Sequence, residues 1–327
     1  MKSNKSKILK LLLIVLVLIL VTLCVSKKNT NKTPKLNFQN IEDPAPIPGE
    51  KLLIKHGFKI SYNQKRKIAN WVSYELTKDE VIIKNTKRSD NFKEDLEVSN
   101  PVTPSSYKAS GYDRGHLAPA ADMAWSYESM NDSFYMTNMA PQTPELNRGE
   151  WKKLEELVRD WAINLNSLIV VSGPILKDNL PNLLETDIPI PEKFFKAVLD
   201  HQKPKKNAIG FIMNQNPEYN DLEKYAVTID TIEAETNLDL FTNLPDNEEA
   251  LIESKINLDQ WSFKKTHYNL PKLDKISTDN NSKFNCQKKK KCKDMLNCEE
   301  AVFHLIVCGN TRLDGNSDGI PCQNLCK

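Results

Sequence analysis

The chain has 327 residues, 39% of them apolar and 27% charged, a globular balance that excludes a wholly disordered or collagen-like chain and leaves room for one large domain or two smaller ones. The net charge of +2 is unevenly placed: residues 1–26 hold four lysines and no acids, residues 27–285 hold 34 basic against 38 acidic side chains, and residues 286–327 hold 7 against 5. The central part is mildly acidic, so bulk charge does not mark it as a polyanion binder; any such binding needs a local cleft.

The first predicted element is an export segment. Lys2, Lys5, Lys7 and Lys10 precede LLLIVLVLILVTLCV, and the apolar stretch from Ile8 to Val25 is broken only by Lys10 and Thr22. Basic followed by apolar reads as a signal peptide, or as an uncleaved membrane anchor, since the stretch is just long enough to span. Cys24 and Ser26 form a poor cleavage site, and Leu23 is too large for a lipobox. Localisation is expected to be extracytoplasmic, secreted or membrane-anchored. Residues 27–50 are polar and proline-bearing and read as a linker.

Strands are predicted at Lys51–Tyr62, Ile68–Leu76 and Val81–Ile83, followed by a long loop over residues 84–110. Tyr112–Pro119 and Phe134–Met139 read as short strands and Asn147–Leu165 as a helix. Leu168–Gly173, Phe194–Leu199, Ala208–Met213 and Tyr225–Ile229 are apolar runs of strand length, while Thr231–Thr236 and Glu248–Lys255 look helical. The fold class is α+β, with a mostly antiparallel central sheet. Residues 266–285 are again linker-like.

Six of the seven cysteines (Cys286, Cys292, Cys298, Cys308, Cys322 and Cys326) fall in residues 286–327, and none lies in residues 27–285. An even, dense set in a piece too short for its own core predicts a small disulfide-rich module and an oxidising compartment. A zinc site is the alternative, weakened by the absence of any CxxC pair. Asp314, Asn316 and Asp318 alternate before Gly319, as in the first half of a calcium loop; an Asx-rich turn without an ion is the plainer reading. His304, in an apolar helix, reads as packing.

The chemistry centres on Gly111-Tyr-Asp-Arg-Gly-His-Leu-Ala-Pro119. Gly115 permits close backbone approach, Arg114 offers a bidentate phosphate donor, and His116 can titrate near neutrality. On the following helix, Trp151, Leu154, Val158 and Trp161 form an apolar stripe, with Asn147 at its start and Glu155 within it. Asn147 is either an N-cap or a site residue. Glu155 is either a charge at the stripe's edge or a carboxylate with a cationic or metal-linked partner. His56, His201 and His267 read as structural or exposed.

The run DRGHLAP, then TNMAPQ, then LNRGEW, resembles the DNA/RNA non-specific endonuclease family over roughly residues 51–265. Ala69-Asn-Trp-Val-Ser-Tyr74, Val171-Ser-Gly-Pro174, Ile188-Pro-Ile-Pro-Glu-Lys-Phe194 and Leu244-Pro-Asp246 add to the resemblance. It implies a ββα-metal (His-Me finger) nuclease domain acting on DNA and RNA without sequence specificity. By position it implies His116 as general base and Asn147 as the protein ligand of Mg2+ (or Mn2+). Glu155 would position a water, with Arg114, Asn138 and Arg88 as further catalytic residues, Arg88 contacting phosphate. The tail resembles the excalibur domain, which implies Ca2+ and contact with a cell surface. Gln323 stands where that domain usually has an acid. The competing expectation is a calcium-dependent surface-binding protein with an inactive nuclease scaffold. Intact His116, Asn147, Arg114 and Glu155 argue for activity.

Overall fold

The computed structural model describes residues 43–83, 86–202, 206–264, 291–306, 308, 310–313 and 321–326. The export segment, residues 27–42 of the linker, the second linker 266–285 with His267, Cys286, and the calcium candidates Asp314, Asn316 and Asp318 lie outside the described residues.

The domain begins with a hairpin of β1 (Lys51–Lys55) and β2 (Phe58–Asn63), turned at Gly57, whose φ of +89° favours glycine. β3 (Ile68–Thr77) runs straight into α1 (Lys78–Ile82). The expected strand at Val81–Ile83 is therefore a helix with its C-cap. Thr77 and Glu80 close a capping box: Glu80 N–H donates to Thr77 Oγ1 at 3.3 Å, and Thr77 N–H donates to Glu80 Oε2 at 2.9 Å. Those reciprocal bonds outweigh the strand preference of Val81 and Ile82. β4 (Asp113–His116), α2 (Tyr127–Asp132), β5 (Met139–Gln142) and α3 (Trp151–Leu165) follow. The strand expected at Phe134–Met139 starts later, because Met136–Asn138 is a 3-10 turn. β6 (Ser167–Pro174), β7 (Lys193–Asp200), β8 (Asn207–Asn214), β9 (Ala226–Val227), α4 (Ile229–Thr236) and α5 (Asp246–Glu253) complete the domain. β9 is shorter than expected because Thr228 accepts from Thr231 N–H at 3.2 Å and starts α4.

Seven strands form one sheet in the order β1-β2-β3-β6-β7-β8-β9, and every pairing is antiparallel. Its central strands are covered on both faces, so alternate residues enter different cores. Leu168 and Val170 of β6 pack with Trp151, Leu154, Val158 and Trp161, the predicted stripe of α3. Ile169 and Val171 pack with Ile229 and Ile232 of α4 and Ile252 of α5. Each fully buried large side chain on the stripe contributes about 1.5–3 kcal/mol. β4 and β5 pair separately, with His116 opposite Met139 and Asp113 opposite Gln142.

In the C-terminal module, α6 (Cys298–Ile306) and α7 (Gln323–Cys326) are joined by Cys298–Cys326, and Cys292–Cys322 closes a second disulfide. Cys308 is disulfide-bonded as well. Met295, Ala301 and Leu313 make its small core, and His304 is buried beside Phe303. No helix among the described residues is long and apolar enough to cross a membrane.

Candidate active site

β4 ends at His116, and the chain behind it is held from two sides. Asn138 accepts from Ala118 N–H at 2.9 Å and donates to Ala118 O at 2.9 Å and Ser133 O at 2.8 Å. Ser172, on the α3-facing side of β6, donates to Leu117 O at 2.7 Å. Asn138 is fully buried and its amide is occupied by backbone. The bonds to Ala118 tie it to the backbone two residues past His116.

The imidazole lies edge-on to Phe134 at 5.0 Å and tilted against Phe92 at 5.7 Å. Its Nε2 is enclosed without a hydrogen-bond partner. Burial, reinforced by the charges of Arg88 and Arg114, pushes the His116 pKa down to about 3. The expected titration near neutrality is thus corrected: the free site holds a neutral imidazole throughout the physiological range. The two guanidiniums rest on the same aromatic rings, Arg114 4.0 Å over Phe92 and Arg88 5.1 Å over Phe134. Arg88 is half exposed and paired with Asp90 at 2.6 Å, so it stands at the mouth of the site.

Gly115 is required by Gln142, whose Oε1 would lie 2.1 Å from any Cβ there. Gln142 is fully buried, and neither atom of its amide has a partner.

Asn147 sits in a π-helical turn, Leu146–Glu150, that leads into α3. It is not an N-cap, since Thr143 Oγ1 accepts from Leu146 N–H at 3.3 Å and Asn147's own N–H reaches Thr143 O at 2.9 Å. Its Nδ2 donates to Asp113 Oδ2 at 2.9 Å. Arg148 grips the same carboxylate, from Nε at 2.8 Å and from a terminal nitrogen at 2.6 Å. Burial works to raise the Asp113 pKa, but the hydrogen bonds from Arg148 and Asn147 and the Arg148 charge outweigh it and hold the group below the usual carboxylate range. With Nδ2 tied down, the Asn147 Oδ1 is the atom left to accept a ligand. A hard, oxygen-preferring cation that keeps most of its waters fits that donor.

Two turns beyond Asn147, on α3, the half-buried Glu155 meets a charged cluster. Arg159 donates to Asp122 at 2.5 Å, and Tyr74 donates to the other Asp122 oxygen at 2.8 Å. Lys196, 1% exposed in mid-strand on β7, holds its Nζ 4.8 Å from the Trp151 ring without a hydrogen-bond partner. Burial pushes the Glu155 carboxyl up to about 7, against the opposing charges of Lys196 and Arg159. Arg88 acts on both Glu155 and His116, and Arg114 on both His116 and Asp113, so these groups share one electrostatic neighbourhood.

Sequence reasoning missed Asp113, Gln142, Arg159, Lys196 and Phe92. Arg159, one turn beyond Glu155, and Lys196, at a core position of an apolar run, were the readable signals.

Residues 37–247 match the DNA/RNA non-specific endonuclease family, and residues 289–322 match the Excalibur calcium-binding domain. A nuclease of Nostoc is 35% identical over 222 residues, 64% of this chain and 80% of that protein. A nuclease of Serratia marcescens is 32% identical over 217 residues, 62% and 79% respectively. Human mitochondrial endonuclease G is 29% identical over 217 residues, 61% and 72%. The crystal structure of an EndoG/EndoGI complex shares the fold, with a TM-score of 0.57 at 24% identity over 60% of this chain and 88% of that one.

Proposed function

Because the chain belongs to the DNA/RNA non-specific endonuclease family, we propose that it cleaves phosphodiester bonds with His116 as general base and Mg2+ (or Mn2+) held through Asn147. It is a hydrolytic endonuclease acting on DNA and RNA, and it carries an Excalibur calcium-binding domain. The observation that carries the finer reading is the pairing of an enclosed, neutral imidazole with an asparagine whose Oδ1 is freed by Asp113.

Arg114 and Arg88 would bind and orient the scissile phosphate. His116, unprotonated, would take the proton of the attacking water. Asp113 fixes the Asn147 amide so that its oxygen, not its nitrogen, is offered. The bound ion would neutralise charge on the phosphate and the departing oxygen. Glu155 would orient a water beside it, with Lys196 and Arg159 favouring its charged form. Contacts to phosphate carry no sequence information, which supports cleavage without sequence specificity.

The Cys292–Cys322 and Cys298–Cys326 disulfides and the basic-then-apolar start support export, free or membrane-anchored, with the C-terminal module contacting the cell surface. Purified protein lacking residues 1–26 should degrade duplex DNA and RNA and lose both activities in EDTA. Turnover surviving thorough chelation would end the metal reading. His116→Ala should lower the rate by at least ~10²-fold with the fold intact; near-normal turnover would remove His116 from the mechanism.

A further inference from the structure

On the sheet face away from α3, helices α4 and α5 cover Phe195, Ala197 and Leu199 of β7 and Ala208 of β8. Asp230 and Glu233 lie one turn apart on α4, and Glu249 and Glu253 one turn apart on α5. Asp230, Glu233 and Glu253 each bring a carboxylate oxygen within 4.8 Å of the other two. Exposure falls from the exposed Asp230, through half-buried Glu233, to Glu253 at 5%.

Packed acids alone are common. What sets this cluster apart is the Glu253 Oε1, enclosed with no hydrogen-bond partner; the Glu249 Oε1 beside it is in the same state. Burying a carboxylate among its own kind, unpartnered, is costly unless a cation completes the set. Glu233 already accepts from Leu240 N–H at 2.6 Å, which fixes its direction. After burial, the strongest influences on Glu253 are Glu233, Glu249, Asp230 and Asp239, all acidic, and together they push its carboxyl up to about 9.

We propose that Asp230, Glu233 and Glu253 form a calcium site, separate from the nuclease centre and from the C-terminal module, that clamps α4 to α5. An all-carboxylate donor set suits a hard cation and offers nothing to one preferring nitrogen or sulfur. Oxygens at the corners of a triangle with the limiting 4.8 Å side lie ~2.8 Å from its centre, a small adjustment from the Ca–O distance of about 2.3–2.6 Å. Mg2+, at about 2.0–2.1 Å and nearly octahedral, would need a much larger contraction. The exposed Asp230 rim gives the ion a way in, and Glu249 and water can complete the coordination.

The chain reports on itself in the test. All five tryptophans (Trp71, Trp125, Trp151, Trp161 and Trp261) lie in the nuclease domain and none in residues 289–322, so tryptophan fluorescence follows nuclease-domain melting without following the C-terminal module. In chelator-stripped full-length protein, millimolar Ca2+ should raise Tm by ~5 °C or more. Glu253→Gln, which keeps the shape without the charge, should abolish the rise, and Asp230→Asn, at the exposed rim, should weaken it. Both variants should retain Mg2+-supported nuclease turnover, which certifies their fold. A flat response in the unmodified protein, or an undiminished rise in Glu253→Gln, would overturn the site. An equal rise with Mg2+ that Glu253→Gln likewise removes would overturn its assignment to calcium, since Mg2+ held at Asn147 would stabilise both forms alike.

Discussion

Replacing Asp113 with alanine isolates the device that makes Asn147 a ligand. Asp113 receives one hydrogen bond from Asn147 at 2.9 Å and two from Arg148 at 2.8 and 2.6 Å. The Arg148 pairing is at the surface and contributes little to stability. The bond to Asn147 matters more, because it decides which atom of the amide faces the ion. Freeing that side chain costs about 1 kcal/mol of ordering when metal binds. Losing a hydrogen bond to a charged group adds about 1.5–3 kcal/mol at most, and the two effects overlap. The net is ~1.5–3 kcal/mol, or roughly 10- to 100-fold weaker metal binding, the range found when partners of metal ligands are removed. Hydrolysis of a labelled duplex should therefore be measured across a wide range of Mg2+. The half-saturating concentration should rise by that factor, and turnover at saturation should largely return. If turnover falls while the Mg2+ midpoint stays put, Asp113 does not act through Asn147. If Tm drops and no amount of metal restores the rate, Asp113 is a structural residue.

Lys196→Met removes the largest charge opposing the upward push on Glu155, so the acid limb of the rate profile should move up from about 7. A shift of one to two units implies a loss of roughly 5- to 50-fold at pH 7 that fades in alkali; a uniform loss at every pH would make Lys196 a packing group. Glu253 has its folded pKa raised to about 9 from an ordinary value of 4.5, mainly by burial and then by its acidic neighbours. The folded state then binds more protons than the unfolded one between those limits, so stability of the calcium-free protein should fall as pH rises through that window. Glu253→Gln should flatten the slope, and an unchanged pH–Tm curve would contradict the assignment. Reduction of the disulfides should unfold the C-terminal module yet leave nuclease turnover largely intact, because residues 27–285 contain no cysteine. Inactivation by reductant alone would show that the module takes part in catalysis.

The sheet was legible because its strands are apolar runs of ordinary length, and α3 because its stripe repeats every turn. At Val81–Ile83 the β-branched side chains favour a strand, and the T-x-x-E box just before them overrides that preference. At the site, His116 stands out by its Arg114 and Gly115 neighbours, whereas Asn147 and Glu155 stay open between structural and site readings until the family resemblance assigns them. The role of Asp113 is not legible, since it depends on a hydrogen bond to a residue 34 positions away. Phe92 and Arg88 come from a loop whose path no periodicity specifies. The backbone partners of Asn138, at Ala118 and Ser133, are equally invisible in the sequence. The acidic seam was hidden for a related reason, because α4 and α5 become neighbours only when both lie on the sheet.

The aromatic seat of His116 has a consequence for the order of events in turnover. Burial is the main cause of its low basicity, and the charges of Arg88 and Arg114 supply the rest. Those two guanidiniums are also the natural berth for a phosphate. An arriving diester would cancel the two charges that suppress the imidazole, so basicity would be acquired together with substrate. An idle enzyme would then carry a muted base, and occupancy itself would arm it. NMR of the His116 ring should show its pKa climbing when a non-hydrolysable diester binds; a value that stays near 3 would mean that burial alone governs it.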